Sequence, residues 1–232
     1  MDYLGALFIV AGLSFLTLGC SEAGNPNVGM YTYFATGVSC IIGYSLWSTR
    51  VSDPLIPVAL FRNLGFLASN IVHLLYGAVL IITMVTVPLM ANTILQSSPL
   101  DGGLMLARLT VAIPIGAICG GILCRKFDLR IPSISALLLC AVSLFMMATW
   151  DENITDPFMT IHLVLGGLGF GLLIAPVTLT ALNSATETMK GTASGVISTS
   201  RFLGMTLGIA ALAAWGAGRF QNLLSGLTLP IP

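Results

Sequence analysis

Charge is scarce in this chain. Nine basic and nine acidic residues in 232 make 8% of the total, where soluble domains carry about a quarter. The formal net charge is zero, so nucleic acid finds no electrostatic footprint and is excluded as a partner. Histidine occurs only at His73 and His162, and the five cysteines (Cys20, Cys40, Cys119, Cys124, Cys140) form no Cys-x-x-Cys pair. No metal site, redox centre or cofactor is expected from them, and the cysteines read as packing groups in or beside apolar segments. Lysine occurs only at Lys126 and Lys190, both between apolar stretches, which leaves no amine for a retinal Schiff base. No apolar stretch carries an Asp or Glu at its middle. The first stretch is not expected to be a secretory leader, because the charge before it is Asp2 and six more stretches follow.

What fills the chain is hydrocarbon. Hydrophobic residues make up 56%, and the mean hydropathy is +0.97. Seven apolar stretches stand out, at 4–20, 28–47, 66–90, 104–124, 134–150, 158–182 and 193–217. A spanning helix needs about 17–25 residues, and in lipid the backbone must be satisfied within its own segment, so these predict helices. The fold class expected is all-α: a polytopic membrane bundle of about seven transmembrane helices. Ser98-Pro99-Leu100-Asp101 predicts an N-cap, a first-turn proline and a capping carboxylate opening the fourth helix. Tyr31, Trp47 and Trp150 sit where an aromatic belt would.

The loop charges orient the bundle. Alternate connections hold Arg50, Arg62, Arg125, Lys126, Arg130 and Lys190 on one side. The other side holds Glu22, Asp101, Asp151, Glu152 and Asp156, with Arg219 as its only base. Basic loops stay cytoplasmic, which predicts an inside amino terminus in a multi-pass protein of the cell membrane, the inner membrane in a prokaryote. Four sections follow: a helix pair at 1–49, a cytoplasmic connection at 50–63 marked by Asp53-Pro54 and Pro57, a five-helix unit at 64–218, and an external tail at 219–232.

From Pro57-x-x-Leu60-Phe61-Arg62-Asn63 onward, through Pro88-Leu89, Ser98-Pro99 and Gly103-Leu104, the chain resembles the major facilitator superfamily. The runs Gly167-Leu168-Gly169-Phe170-Gly171 with Pro176, Gly191-Thr192-Ala193-Ser194-Gly195, and Arg201 with Gly204-x-x-x-Gly208 resemble its drug:proton antiporter branch of fourteen helices. Asp2-x-Leu4-Gly5 suits the extra helix pair joining the halves of that branch. The resemblance covers nearly the whole chain but only the second part of that architecture: linker helices plus most of the carboxyl-terminal half, without the last helix. It implies a secondary transporter that exports drugs or other amphipathic small molecules by alternating access. Its partners would be the bilayer, the small-molecule substrate, protons and the amino-terminal half, where coupling residues are expected. The family's cytoplasmic loop signature falls on Gly121 to Arg130, with Arg125 and Lys126 at its Asp-Arg pair and Asp128 at its second glycine.

Five residues are candidates for the substrate path. Arg108 lies about nine residues into its helix, roughly 13 Å deep. An intramembrane charge there demands a cavity, a partner helix or a carboxylate. With no acid in the spans, the counter-charge would come from elsewhere: the other half, a substrate anion or carbonyls. Arg201 matches the family position, and snorkelling to the inner interface is the other reading of it. Asn70, His73 and Tyr76 recur every three residues, which puts them on one helix face; an interhelical contact is the competing account. His162 reads as interfacial. Gly116-x-x-x-Gly120, Gly167-x-x-x-Gly171, Gly191-x-x-x-Gly195 and Gly204-x-x-x-Gly208 are seams for close helix approach. Pro88, Pro114 and Pro176 mark kinks or hinges within spans.

No enzyme is expected. Ala193-Ser194-Gly195 resembles an intramembrane serine protease motif, but Thr192 replaces its leading glycine and both histidines precede the serine. A non-transporting membrane remnant, or a subunit packed against a partner half, is the alternative to transport.

Overall fold

The computed structural model describes residues 2–22, 28–51, 56 and 58–225. Among them are seven α-helices and no strand: α1 (Tyr3–Ser21), α2 (Val28–Ser48), α3 (Leu64–Thr93), α4 (Pro99–Lys126), α5 (Arg130–Ala148), α6 (Phe158–Asn183) and α7 (Lys190–Ser225). Short 3-10 turns at Val58–Arg62 and Glu187–Met189 precede α3 and α7. Asp53-Pro54 and Pro57 of the 50–63 connection lie outside the described residues.

The helices begin where the sequence supplies acceptors. Asp2 accepts the Gly5 N–H at 2.7 Å, and Asn63 accepts that of Gly65 at 2.8 Å. Ser98 and Asp101 close a reciprocal capping box with Pro99 in the first turn, as the sequence predicts. Six of the seven helices are long and apolar enough to cross a membrane; α2 falls short on hydropathy. Its hydroxyls are nonetheless satisfied inside the helix, Thr32 donating to Gly29 O, Thr36 to Thr32 O and Ser39 to Ala35 O.

Helix bounds differ from the apolar stretches because caps, not hydropathy, end a helix. Residues 219–225, read as the start of a tail, continue α7 to Ser225. Trp150, taken as the end of the fifth span, lies two residues past α5.

The core is organised around α6, half of whose most apolar window is buried against 22–33% for the other five candidate spans. Its two faces are cut for different neighbours. Gly167 and Gly171 meet the α4 carbonyls of Leu109 and Ile113, while Gly166 and Gly169 meet Ser143 and Cys140 of α5. On the other side of the α4 seam, Gly116 and Gly120 lie against the carbonyls of Leu168 and Leu172. Pro176 has no N–H to give Leu172 O, so Gly120 approaches a carbonyl that lacks its helical donor. In the same way α7 lays Gly204 and Gly208 on Leu74 and Ala78 of α3, and Gly77 returns the contact at Arg201 O. No side chain could stand between these backbones.

The fourth glycine pair departs from expectation. An added Cβ at Gly191 or Gly195 would meet nothing within 4 Å, so this motif seats no helix among the described residues. Helix α5 turns Ile131, Ile134, Leu138, Val142 and Phe145 outward, a stripe suited to lipid. Helices α1 and α2 form a hairpin that touches the bundle through α1 and α7.

Candidate functional site

Three of the five path candidates converge with partners from two other helices. On α3, Asn70, His73 and Tyr76 are all buried. The Asn70 amide donates to Phe66 O at 2.9 Å, leaving its Oδ1 to accept from Ser200 of α7 at 2.8 Å. His73 Nδ1 lies 3.0 Å from Ser69 O, and a carbonyl can only accept, so a neutral His73 carries its proton on Nδ1. Nε2 is then the acceptor for the Thr178 hydroxyl of α6 at 3.3 Å. Tyr76 packs edge-on against Phe170 at 5.8 Å. Sequence spacing placed the α3 stripe; Thr178 and Ser200 carried no separate signal among many helical hydroxyls.

Arg201 follows Ser200 on the same wall. Its guanidinium carbon stands 5.4 Å from the Phe202 ring centroid. Its Nε is buried and makes no hydrogen bond in the described structure. An unanswered donor on a cation costs free energy unless something arrives to accept it. The crevice bounded by Val72, His73, Tyr76, Leu173, Ile174 and Val177 has a volume of ≈ 0 Å³, so no water-sized space opens beside His73 and Tyr76.

Arg108 does not join this group. Its guanidinium donates to both oxygens of Asp156, at 2.8 and 3.0 Å, and to the Thr160 hydroxyl at 2.6 Å. Thr160 donates in turn to Asp156 at 2.6 Å. This corrects the expectation that the counter-charge comes from outside the chain: the acid preceding α6 supplies it. Helical side chains slant toward the amino terminus, so Arg108 reaches back toward the α5–α6 connection instead of into the bundle. The Arg108 and Asp156 side chains are 35% and 50% exposed. Asp156 titrates below the ordinary carboxylate value, chiefly through the Thr160 hydrogen bond; partial desolvation opposes this and Arg108 adds to it.

His162 is likewise buried, and it is tied rather than merely interfacial. The Trp150 indole donates to its Nδ1 at 2.9 Å, and Ser143 donates to its backbone carbonyl at 2.7 Å. With Arg108–Asp156, this clamps α4, α5 and α6 together at one end.

At the other end, the loop signature makes a tight turn. Arg125 and Lys126 occupy the last turn of α4, where they face the negative end of the helix dipole. Asp128 accepts the Arg130 N–H at 2.9 Å to start α5, and Gly121 faces open space. Among the described residues, no ion pair latches Arg125, Lys126 or Arg130 to a carboxylate. Pro88, Pro114 and Pro176 lie inside α3, α4 and α6.

No family model matches the chain. It is 29% identical over 248 residues to a triacylglyceride transporter of Mycobacteroides abscessus, covering 100% of this chain and 48% of that protein. A triacylglyceride transporter of Mycobacterium tuberculosis is also 29% identical, over 251 residues, with the same coverage of 100% and 48%. A probable triacylglyceride transporter of Mycobacterium leprae is 26% identical over 249 residues, covering 100% and 49%. The chain therefore spans about half the length of the curated relatives it matches.

Proposed function

We propose that the chain forms the linker helix pair and most of the carboxyl-terminal half of a major-facilitator-like transporter that moves a lipophilic glyceride across the cell membrane by alternating access. The observation that carries this reading is the polar line from Asn70 and His73, both buried, to the half-buried Thr178, Ser200 and Arg201, set among otherwise apolar helices. It ends in a donor with no acceptor in the described structure. Polar groups at such depth stand at the facing surface of two halves more readily than in a lipid-facing wall. The names of the relatives favour a glyceride over the drug-like cargo that the sequence alone suggests. The basic connections keep the amino terminus inside. Energy coupling, if by protons, falls to acids beyond these helices, whose described membrane interior holds none.

The test uses the complete coding sequence around this chain. Cells expressing it are loaded with radiolabelled triacylglycerol, and label reaching an extracellular lipid acceptor is counted. Efflux above vector level that falls when Arg201 is replaced by Ala supports the proposal. Efflux at vector level would instead leave a non-transporting membrane protein.

A further inference from the structure

The hairpin and the bundle do not close on each other completely. Between α1, α2, the Val58–Arg62 turn and the first half of α7 lies a half-open cavity of ≈ 550 Å³. Its walls are hydrocarbon: Ile9 and Leu13 of α1, Ile41 of α2, Ile56 and Phe61 below, and Leu203 of α7. Gly195, open on its Cβ side, forms part of the α7 wall.

Three of the four hydroxyls that line it are engaged elsewhere, and Thr192, in the first turn of α7, is the fourth. Tyr44 donates to Ile56 O at 2.9 Å and accepts from Ile56 N at 2.7 Å, which props the turn against α2. Thr199 donates to Gly195 O at 2.9 Å, and Ser200 to Asn70 Oδ1 at 2.8 Å. No charged side chain lines the space. A charged headgroup would therefore be desolvated there with no counter-charge and only the Thr192 hydroxyl in return.

Size separates the remaining occupants. A helix about 10–12 Å across rising 5.4 Å per turn needs roughly 400–600 Å³ per turn, so this space holds about one turn and no spanning helix. It falls instead within the range of about 300–1,000 Å³ typical of small-ligand sites with apolar walls.

We infer that this cavity binds an acyl chain of a neutral glyceride, between the linker hairpin and α7. The inference rests on the transport reading for its choice of lipid. It adds a second location, on the far side of α7's Ser200 from the Asn70 stripe. Ser200 lines the cavity and also donates to Asn70, so occupancy on one side reaches the polar line through a single side chain.

The experiment places the full chain in nanodiscs doped with a triacylglycerol bearing a diazirine on one acyl chain. After irradiation, labelled peptides are mapped by mass spectrometry. Label is expected on the segments holding Ile9, Leu13 and Leu203. Gly195→Leu fills the cavity from a position with no neighbour within 4 Å and replaces a poor helix former with a good one. It should cut cavity label about tenfold. Gly191→Leu, equally unhindered but outside the lining, should leave label unchanged and shows that the fold survives such a change. Label insensitive to Gly195→Leu overturns the inference, as does equal label from a diazirine phosphatidylcholine. The two readings fail separately. Vector-level efflux with cavity label intact sinks transport alone, and intact efflux with insensitive label sinks the cavity alone.

Discussion

Two glycine motifs of the same spacing on the same helix should respond to alanine in opposite directions. At Gly204, an added Cβ meets the Leu74 carbonyl of α3, and at Gly191 it meets nothing within 4 Å. Gly204 sits in the interior of α7, where alanine is favoured over glycine by about 0.8–1.0 kcal/mol, and Gly191 in its first turn, where the gain is smaller. At Gly191 that gain stands alone. At Gly204 it is set against overpacking, about 1–3 kcal/mol and toward the upper end, because a backbone carbonyl cannot change rotamer. The net expectation is a stabilisation below about 1 kcal/mol for Gly191→Ala and about 2 kcal/mol of destabilisation for Gly204→Ala. For a chain of this length, about 2–4 °C per kcal/mol gives a midpoint raised by less than about 4 °C for the first and roughly 4–8 °C lower for the second. Thermal unfolding in detergent, followed by a thiol-reactive dye, reads both, because Cys20 and Cys140 are buried until the helices separate. Equal destabilisation by the two variants would refute the claim that only the Gly204 seam is occupied.

Two further outcomes test the ends of the bundle. Arg108→Leu removes a half-exposed ion pair and should cost no more than about 1 kcal/mol, leaving efflux by the complete protein near normal. The same pair sets an acid sensitivity. Asp156 is held below its ordinary pKa, so its stabilisation is full above about pH 4 and is lost as pH falls through the lowered folded value. Arg108→Leu should shrink that acid loss, and unfolding midpoints at stepped pH measure it. For orientation, a cysteine at Asp101 should react with an impermeant maleimide in intact cells and one at Asp128 should not; the reverse pattern inverts the bundle.

Much of the fold was legible because its determinants are local. Ser98 to Asp101 spells its own capping box, and apolar length alone located the helices. The α3 stripe followed from a spacing of three. What sequence could not distinguish was whether a motif has a partner. Gly191-x-x-x-Gly195 and Gly204-x-x-x-Gly208 look alike on paper, and only the placement of α3 separates them. The Arg108 pairing was not legible because depth along the helix axis does not register a side chain that leans back toward the helix start. Its acid lies 48 residues downstream, in a connection read as loop charge. The Trp150–His162 bond needs α5 and α6 to end at matching heights, a property of two helices and not of either segment.

The glycine faces of α6 also bear on movement. Helices locked by interdigitating side chains must lift apart before they can slide, since each knob has to leave its hole. Backbone laid on backbone, as at Gly167, Gly171, Gly116 and Gly120, offers little relief to catch. Such a contact resists separation yet opposes travel along its length weakly, like a rail. Helix α6 carries such a rail for α4, whereas toward α5 its Gly166 and Gly169 receive the Ser143 and Cys140 side chains, which catch. Small shear displacements of packed helices are a recognised mode of domain motion. In a rocking half-transporter, α5 and α6 would move as one bar, and α4 would be the part that glides along it.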